Sequence, residues 1–123
     1  MDVAGRRIGG RAGAHAPTRE SLIALLGGFP QGTALDTEVL DAEDLDGYSR
    51  RLVEYATVDG ERVRTFLLLP HARDRKLPGI LAIHQDGNYR PYSYGKSEPA
   101  GLGGDPELAY GLELCMRGYA VIC

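Results

Sequence analysis

At 123 residues the chain has the length of one domain, enough to bury roughly two-thirds of the surface its unfolded form exposes. Fourteen basic residues against seventeen acidic ones give a net charge of −3, a balance that argues against a general nucleic-acid surface. No apolar run approaches the ~18 residues of a membrane span. Cys115 and Cys123 are too few for a disulfide scaffold and lack metal-site spacing, so both are expected as free, buried thiols.

Residues 1–17 are rich in Gly, Ala and Arg without periodicity and read as a flexible arm. Arg6-Arg7 resembles the start of a twin-arginine signal, but residues 9–17 supply no apolar region behind it. A cytoplasmic location is therefore expected. Thr18 opens the first helix: its hydroxyl can cap, Glu20 suits the positive helix end, and Gly27-Gly28 stops the run. Leu22, Ile23, Leu25 and Leu26 form a short apolar face, and a helix of this length is stable only when packed on something. Residues 31–47 hold Asp36, Glu38, Asp41, Glu43, Asp44 and Asp46 with no base. They lack the turn glycine and closing Glu of a calcium loop, and are expected to form a solvated acidic connector. The chain thus divides into an arm (1–17), a helix plus connector (18–47) and a folded body (48–123).

Within that body, 51–58 and 61–69 read as two strands joined at Asp59-Gly60, a strong hairpin cue. Pro70 ends the ladder because it has no N–H to give. Next comes the unbroken apolar run Ile80-Leu81-Ala82-Ile83, behind Pro78-Gly79 and running into His84-Gln85-Asp86-Gly87. Such a run suits a strand buried on both faces of a parallel sheet, and polar residues at its carboxyl end lie where open α/β sheets place their ligands. Residues 88–104 form a long loop with Tyr89, Tyr92 and Tyr94, a length that marks a functional loop or disorder. Asp105-Pro106 then starts a helix, with Leu108, Leu112, Cys115 and Met116 on one stripe and Gly118 at its exit. Residues 119–123 restart a buried strand. The expected class is α/β: an antiparallel hairpin leading into a parallel βαβ unit, with the sheet left incomplete.

Four chemistries compete for this framework. Nucleophilic hydrolysis needs an exposed nucleophile, a histidine base and an orienting carboxylate. Ser93, in Pro-Tyr-Ser-Tyr-Gly, and Ser97 are poor nucleophiles because neither sits on a Gly-x-Ser-x-Gly elbow between a strand and a helix. Phosphate binding by Gly101-Leu102-Gly103-Gly104 before a helix lacks the Gly-x-Gly-x-x-Gly order and stands far from the strand. Metal binding would draw on His84, Asp86 and a distant His15 or His71, and a lone histidine closing a strand is more often structural. The fourth reading is a non-catalytic α/β interaction module.

Residues 48–123 resemble the amino-terminal part of an α/β-hydrolase of the dienelactone hydrolase and acetyl xylan esterase-like branch. The resemblance lies in the hairpin, the strand ending Ile83-His84-Gln85-Asp86-Gly87, the run Gly95-Lys96-Ser97-Glu98-Pro99-Ala100-Gly101-Leu102, and Glu113-Leu114-Cys115-Met116-Arg117-Gly118-Tyr119-Ala120-Val121. It implies a serine-hydrolase-type carboxylic-ester hydrolase without cofactor or metal. The nucleophile, acid and base of that family fall beyond this chain, which is then a fragment expected to be inactive alone. Only the corner after the third strand of that fold maps here. Its backbone N–H, from Gln85 or Asp86, would form half an oxyanion hole, with His84, Gly87 and Tyr89 shaping the site. A small-molecule ester would be bound only by a complete enzyme, with no nucleic acid or membrane partner. The last strand, ending flush with the chain, is expected to expose an edge through which copies associate.

Overall fold

The computed structural model describes residues 18–72, 75–85 and 94–123. The chain forms two compact units, Met1–Gln31 and Gly32–Cys123. In the first, helix α1 spans Arg19–Leu25. Thr18 caps it by accepting from the Ser21 N–H at 3.1 Å, and Ser21 Oγ accepts in return from the Thr18 N–H at 2.9 Å. Gly27 and Gly28 both adopt positive φ, and the Gly28 N–H closes the end on the Ile23 carbonyl at 2.9 Å. Both ends of α1 are thus satisfied locally, as the flanking residues predict.

The second unit is a mixed α/β body around a five-stranded sheet in the order β1-β2-β3-β5-β4. Strands β2 (Tyr48–Ala56) and β3 (Arg62–Pro70) form the expected hairpin, with Tyr55 opposite Val63, Val53 opposite Thr65, and Tyr48 opposite Pro70 as the last pair. Gly60 sits at φ +80°, which the tight turn requires and a β-carbon would resist. Strands β4 (Gly79–Leu81) and β5 (Ala120–Ile122) run parallel, and β5 pairs antiparallel with β3. Helix α2 (Tyr110–Met116) connects them across one face.

Residues 38–45 correct the reading of an acidic connector. They form strand β1 (Glu38–Leu45), antiparallel to β2 with a bulge between Val39 and Asp41. All but Leu45 lie exposed, so β1 is an edge strand held by its backbone ladder and by cross-strand charge. Glu43 stands opposite Arg50 and pairs with it, an arrangement that favours a strand whose residues have poor intrinsic strand preference. Ahead of β1, the Ala56 N–H donates to the Leu35 carbonyl at 2.7 Å. Arg62 clamps Asp36 through Oδ2 at 3.0 Å and through its carbonyl at 3.2 Å.

Alternation along the strands sorts their side chains onto two faces. One face carries Tyr48, Leu68, Ile80, Ala82 and Val121, and packs against Cys115 of α2 and Ala100 of the preceding loop. The other carries Val53, Tyr55, Leu67, Leu81 and Ile122, which with Leu35 and Thr37 line an apolar groove of about 460 Å³. Leu81 is 67% exposed and Ile83 71%. The expectation that 79–83 is buried on both faces is therefore corrected: β4 is covered on one face only, and its hydrogen-bonded ladder stops at Leu81.

The C-terminal strand also differs from expectation. Because β5 lies between β3 and β4, both its flanks are hydrogen-bonded. The outer strands of the sheet are β1 and β4, so the edge next to the apolar groove belongs to β4.

The helix predicted to run on from Asp105-Pro106 is broken. Asp105 caps a single 3₁₀ turn, Pro106–Leu108, by accepting from the Glu107 N–H at 3.0 Å. The Leu112 N–H then donates to the Pro99 carbonyl at 3.0 Å, where a continuous helix would use the Leu108 carbonyl. A tertiary hydrogen bond from the loop has replaced a helical one. On α2 the buried residues are Gly111 and Cys115, while Met116 is exposed. Gly118 at φ +97° and the Tyr119 N–H bond to the Leu114 carbonyl end the helix as predicted.

Glu54 organises the far end of the hairpin, accepting from Arg62 Nε at 2.7 Å and Arg64 Nε at 2.8 Å. The Arg64 guanidinium, then that of Arg62, holds its carboxyl below the usual carboxylate range. A depressed folded-state pKa stabilises the fold above the unfolded value near 4.5, and that support disappears as pH falls through the folded value. Amide exchange at Ala56 and Arg62 is therefore expected to accelerate below this range in the wild type, beyond the intrinsic pH effect, and not in Glu54→Gln. Identical pH profiles in the two proteins would remove Glu54 as the cause.

Candidate functional site

The carboxyl ends of β4 and β5 open together onto a cleft of about 390 Å³. Its floor is Thr65, Ala82 and Cys123; Tyr55, Val63, Leu81 and Ile83 form its apolar walls; Arg64, Lys96 and His84 bring polar atoms to its rim. Ligands of open α/β sheets sit at this end of parallel strands. The β4 corner is tied back by α2, because the Tyr110 hydroxyl donates to the Ile83 carbonyl. Burial, with Cys123 and Glu98 acting in the same direction, raises the Tyr110 phenol, which keeps it a donor.

Of the residues predicted for this corner, His84 lines the cleft, exposed, with Nδ1 3.1 Å from the Gln85 carbonyl. Gln85 follows it, exposed. Asp86, Gly87 and Tyr89 lie outside the described residues, as does Ser93. Ser97 belongs to a 3₁₀ turn, Gly95–Ser97, and its carbonyl accepts from the Leu102 N–H at 2.8 Å.

Cys123 and Cys115 form no disulfide. Burial, with Cys115 beside it, pushes the Cys123 thiol up to about 11. A group with that pKa is neutral near pH 7 and is not the thiolate that attacks carbonyl carbon. Among the described residues no serine or cysteine is hydrogen-bonded to a histidine, the pairing that activates a hydroxyl or thiol. His71 and His84 are not brought together. His71 follows the end of β3, beside Asp44 at 3.6 Å, and β3 runs opposite to β5. The two histidines therefore lie at opposite ends of the strands. Among the described residues no three His, Cys, Asp or Glu side chains converge on a point that could hold a metal ion.

The glycine-rich run before α2 is closely packed. Glu98, 4% exposed, accepts from the Asp105 N–H at 3.1 Å, and its carboxylate lies against Gly104, where a β-carbon would stand 2.5 Å from Oε1. Of this glycine run, Gly104 lies against the Glu98 carboxylate, Gly101 against Leu112 and Gly103 against Tyr94, so the run serves close packing. This buried acid was missed by sequence reasoning, which singled out Glu98 only as part of the run 95–102. Gly101, Gly103 and Gly104 all adopt positive φ, a backbone conformation that side chains rarely take.

No family model matches the chain, and no curated protein matches it. Among solved structures, the fold is similar to that of a Bacteroides fragilis NCTC 9343 protein described as a candidate acetyl xylan esterase. The likeness has a TM-score of 0.60 at 18% identity and covers 85% of this chain. The chain spans 27% of the length of that structure. The mixed sheet is thus an esterase-like fold in part.

Proposed function

We propose that the chain is the amino-terminal portion of a carboxylic-ester hydrolase of the serine-hydrolase type, in the dienelactone hydrolase and acetyl xylan esterase-like branch. The observation that carries this reading is the strand order β2-β3-β5-β4, laid along about a quarter of an esterase-like fold, with an apolar groove on one sheet face and β4 as an outer strand among the described residues. In a complete enzyme, the corner after β4 would supply one oxyanion-hole donor, the backbone N–H of Gln85 or Asp86. His84, Gly87 and Tyr89 would shape the acyl pocket around it. Nucleophile, acid and base would come from sequence outside these residues.

The chain alone is expected to hydrolyse p-nitrophenyl acetate no faster than buffer. Joined to a continuation of its reading frame carrying a Gly-x-Ser-x-Gly or Gly-x-Cys-x-Gly elbow, it is expected to turn over. In that longer protein, removing the donor with Gln85→Pro or Asp86→Pro should lower kcat by about 10²–10³ for whichever N–H faces the oxyanion. Turnover by the chain alone that vanishes in Ser93→Ala would overturn the assignment.

A non-catalytic module that pairs with itself is the second reading, favoured by the exposure of Leu81 and Ile83 at an outer strand. Sedimentation distinguishes the two. A compact dimer lost on introducing a charge at Leu81 supports the module, and insolubility of the chain alone supports the fragment.

A further inference from the structure

Little holds the chain where it leaves β4. Ala82 is buried, and its N–H donates to the Ile122 carbonyl at 2.8 Å. Past that point Ile83 is 71% exposed, and His84 and Gln85 are exposed as well, so packing does not fix them. Among the described residues no backbone–backbone hydrogen bond reaches 83–85. Their one tertiary hydrogen bond there is donated by the Tyr110 hydroxyl to the Ile83 carbonyl. Tyr110 itself is firmly seated. It opens α2 and packs its ring against the core. Gly111 brings the helix onto the Pro99 carbonyl and Cys123 Sγ without room for a β-carbon, and the Leu112 N–H donates to the same Pro99 carbonyl at 3.0 Å. Cys115, one turn on, is fully buried.

We infer that Tyr110 is a positioning residue, whose hydroxyl sets the direction of the backbone N–H groups at the corner after β4. A trans peptide is planar, so the Ile83 carbonyl and the His84 N–H share one plane and point opposite ways. Holding the carbonyl therefore fixes the His84 N–H, aimed away from the phenol. The following peptide carries the Gln85 N–H. It is bounded on one side by the held plane and on the other by the Gln85 carbonyl, which His84 Nδ1 meets at 3.1 Å. A donor stabilises developing charge without reorganisation only when it is fixed beforehand, and supporting hydrogen bonds behind the donor supply that order. The catalytic consequence rests on the ester-hydrolase reading, whereas the ordering of the corner does not.

The test compares the full chain with Tyr110→Phe, which removes the hydroxyl and keeps the ring, by backbone amide relaxation. Order parameters at His84 and Gln85 are expected to be about 0.8 in the wild type and to fall to about 0.6 or below in the variant, with Leu68 and Val121 unchanged. Tyr119→Phe removes another phenol hydroxyl beside the core and should leave His84 and Gln85 as they are. Unchanged order at these two residues in Tyr110→Phe, or an equal loss in Tyr119→Phe, would overturn the inference. In the longer protein that the hydrolase reading calls for, Tyr110→Phe should lower kcat by about two- to tenfold with KM unchanged. An active longer protein whose kcat is indifferent to Tyr110→Phe would also overturn it. A longer protein without any esterase activity would instead remove the hydrolase reading, and the relaxation result would still decide whether Tyr110 orders the corner.

Discussion

Leu68→Ala is expected to unfold the sheet outright. Leu68 is fully buried at the meeting point of the covered face, beside Tyr48, Val121, Ala82, Ala100 and Cys115. It also sits in register between Arg50 of β2 and Val121 of β5. Deleting a buried leucine to alanine costs about 2–5 kcal/mol, through lost transfer energy and the cavity left behind. A domain's whole stability is about 5–15 kcal/mol, and among the described residues of this unit α2 packs on one face of the sheet, so its reserve belongs at the lower end. The expected readout is collapse of amide chemical-shift dispersion, or a urea midpoint too low to measure. Leu81→Ala provides the contrast, because Leu81 is 67% exposed and such changes usually stay within about 0.5 kcal/mol. Equal effects from the two substitutions would mean that the covered face is not the core.

Gly111→Ala should destabilise, although alanine ordinarily improves a helix by about 1 kcal/mol over glycine. A β-carbon at Gly111 would stand 2.6 Å from the Pro99 carbonyl oxygen and 2.8 Å from Cys123 Sγ. The first obstacle is backbone, and Pro99 is fully buried, so α2 must move away from the loop. That movement would stretch the Leu112–Pro99 hydrogen bond of 3.0 Å, the same bond that interrupts the helix after Leu108. A net loss of about 1–3 kcal/mol is expected, as for other overpacked positions. Gly79→Ala, where nothing lies within 4 Å of the added carbon, should be close to neutral. A higher melting temperature for Gly111→Ala would refute the close approach of helix and loop.

The contrast between Gly111 and Gly79 shows what could be read in the residues and what could not. Local chemistry was legible: Asp59-Gly60 specifies its hairpin, Thr18 and Gly27-Gly28 bound α1, and Asp105-Pro106 and Gly118 bracket the segment that contains α2. Each of these signals acts within a few residues, and nothing distant competes with it. Three features were hidden because distant atoms decide them. The acids of 38–45 form a strand because Arg50 and the β2 ladder stand opposite. The helix breaks at Ala109 because Pro99 offers a carbonyl to Leu112. Gly104 lies against Glu98, a residue that spacing alone does not connect to it. At the candidate site, the apolar run ending at His84 contains β4, and His84 stands at the cleft beyond it. The lining contributed by Arg64 and Lys96 could not be seen, since the register of β3 and the return of the loop bring those two side chains to the β4 corner.

The position of β5 between β3 and β4 sets an order of events during synthesis. The hairpin and β4 leave the ribosome first, but they do not neighbour each other in the sheet, and the slot between them stays empty until Ala120–Ile122 emerges. Until then the nascent chain displays an open strand edge on β3 together with the bare Ile80 and Leu81 of β4. Such species are caught by holdase chaperones or stick to one another, and pairings between distant segments form slowly. Slowing translation just upstream of Ala120 should therefore lower the yield of native protein, whereas the same pause within the Asp59-Gly60 turn should be harmless.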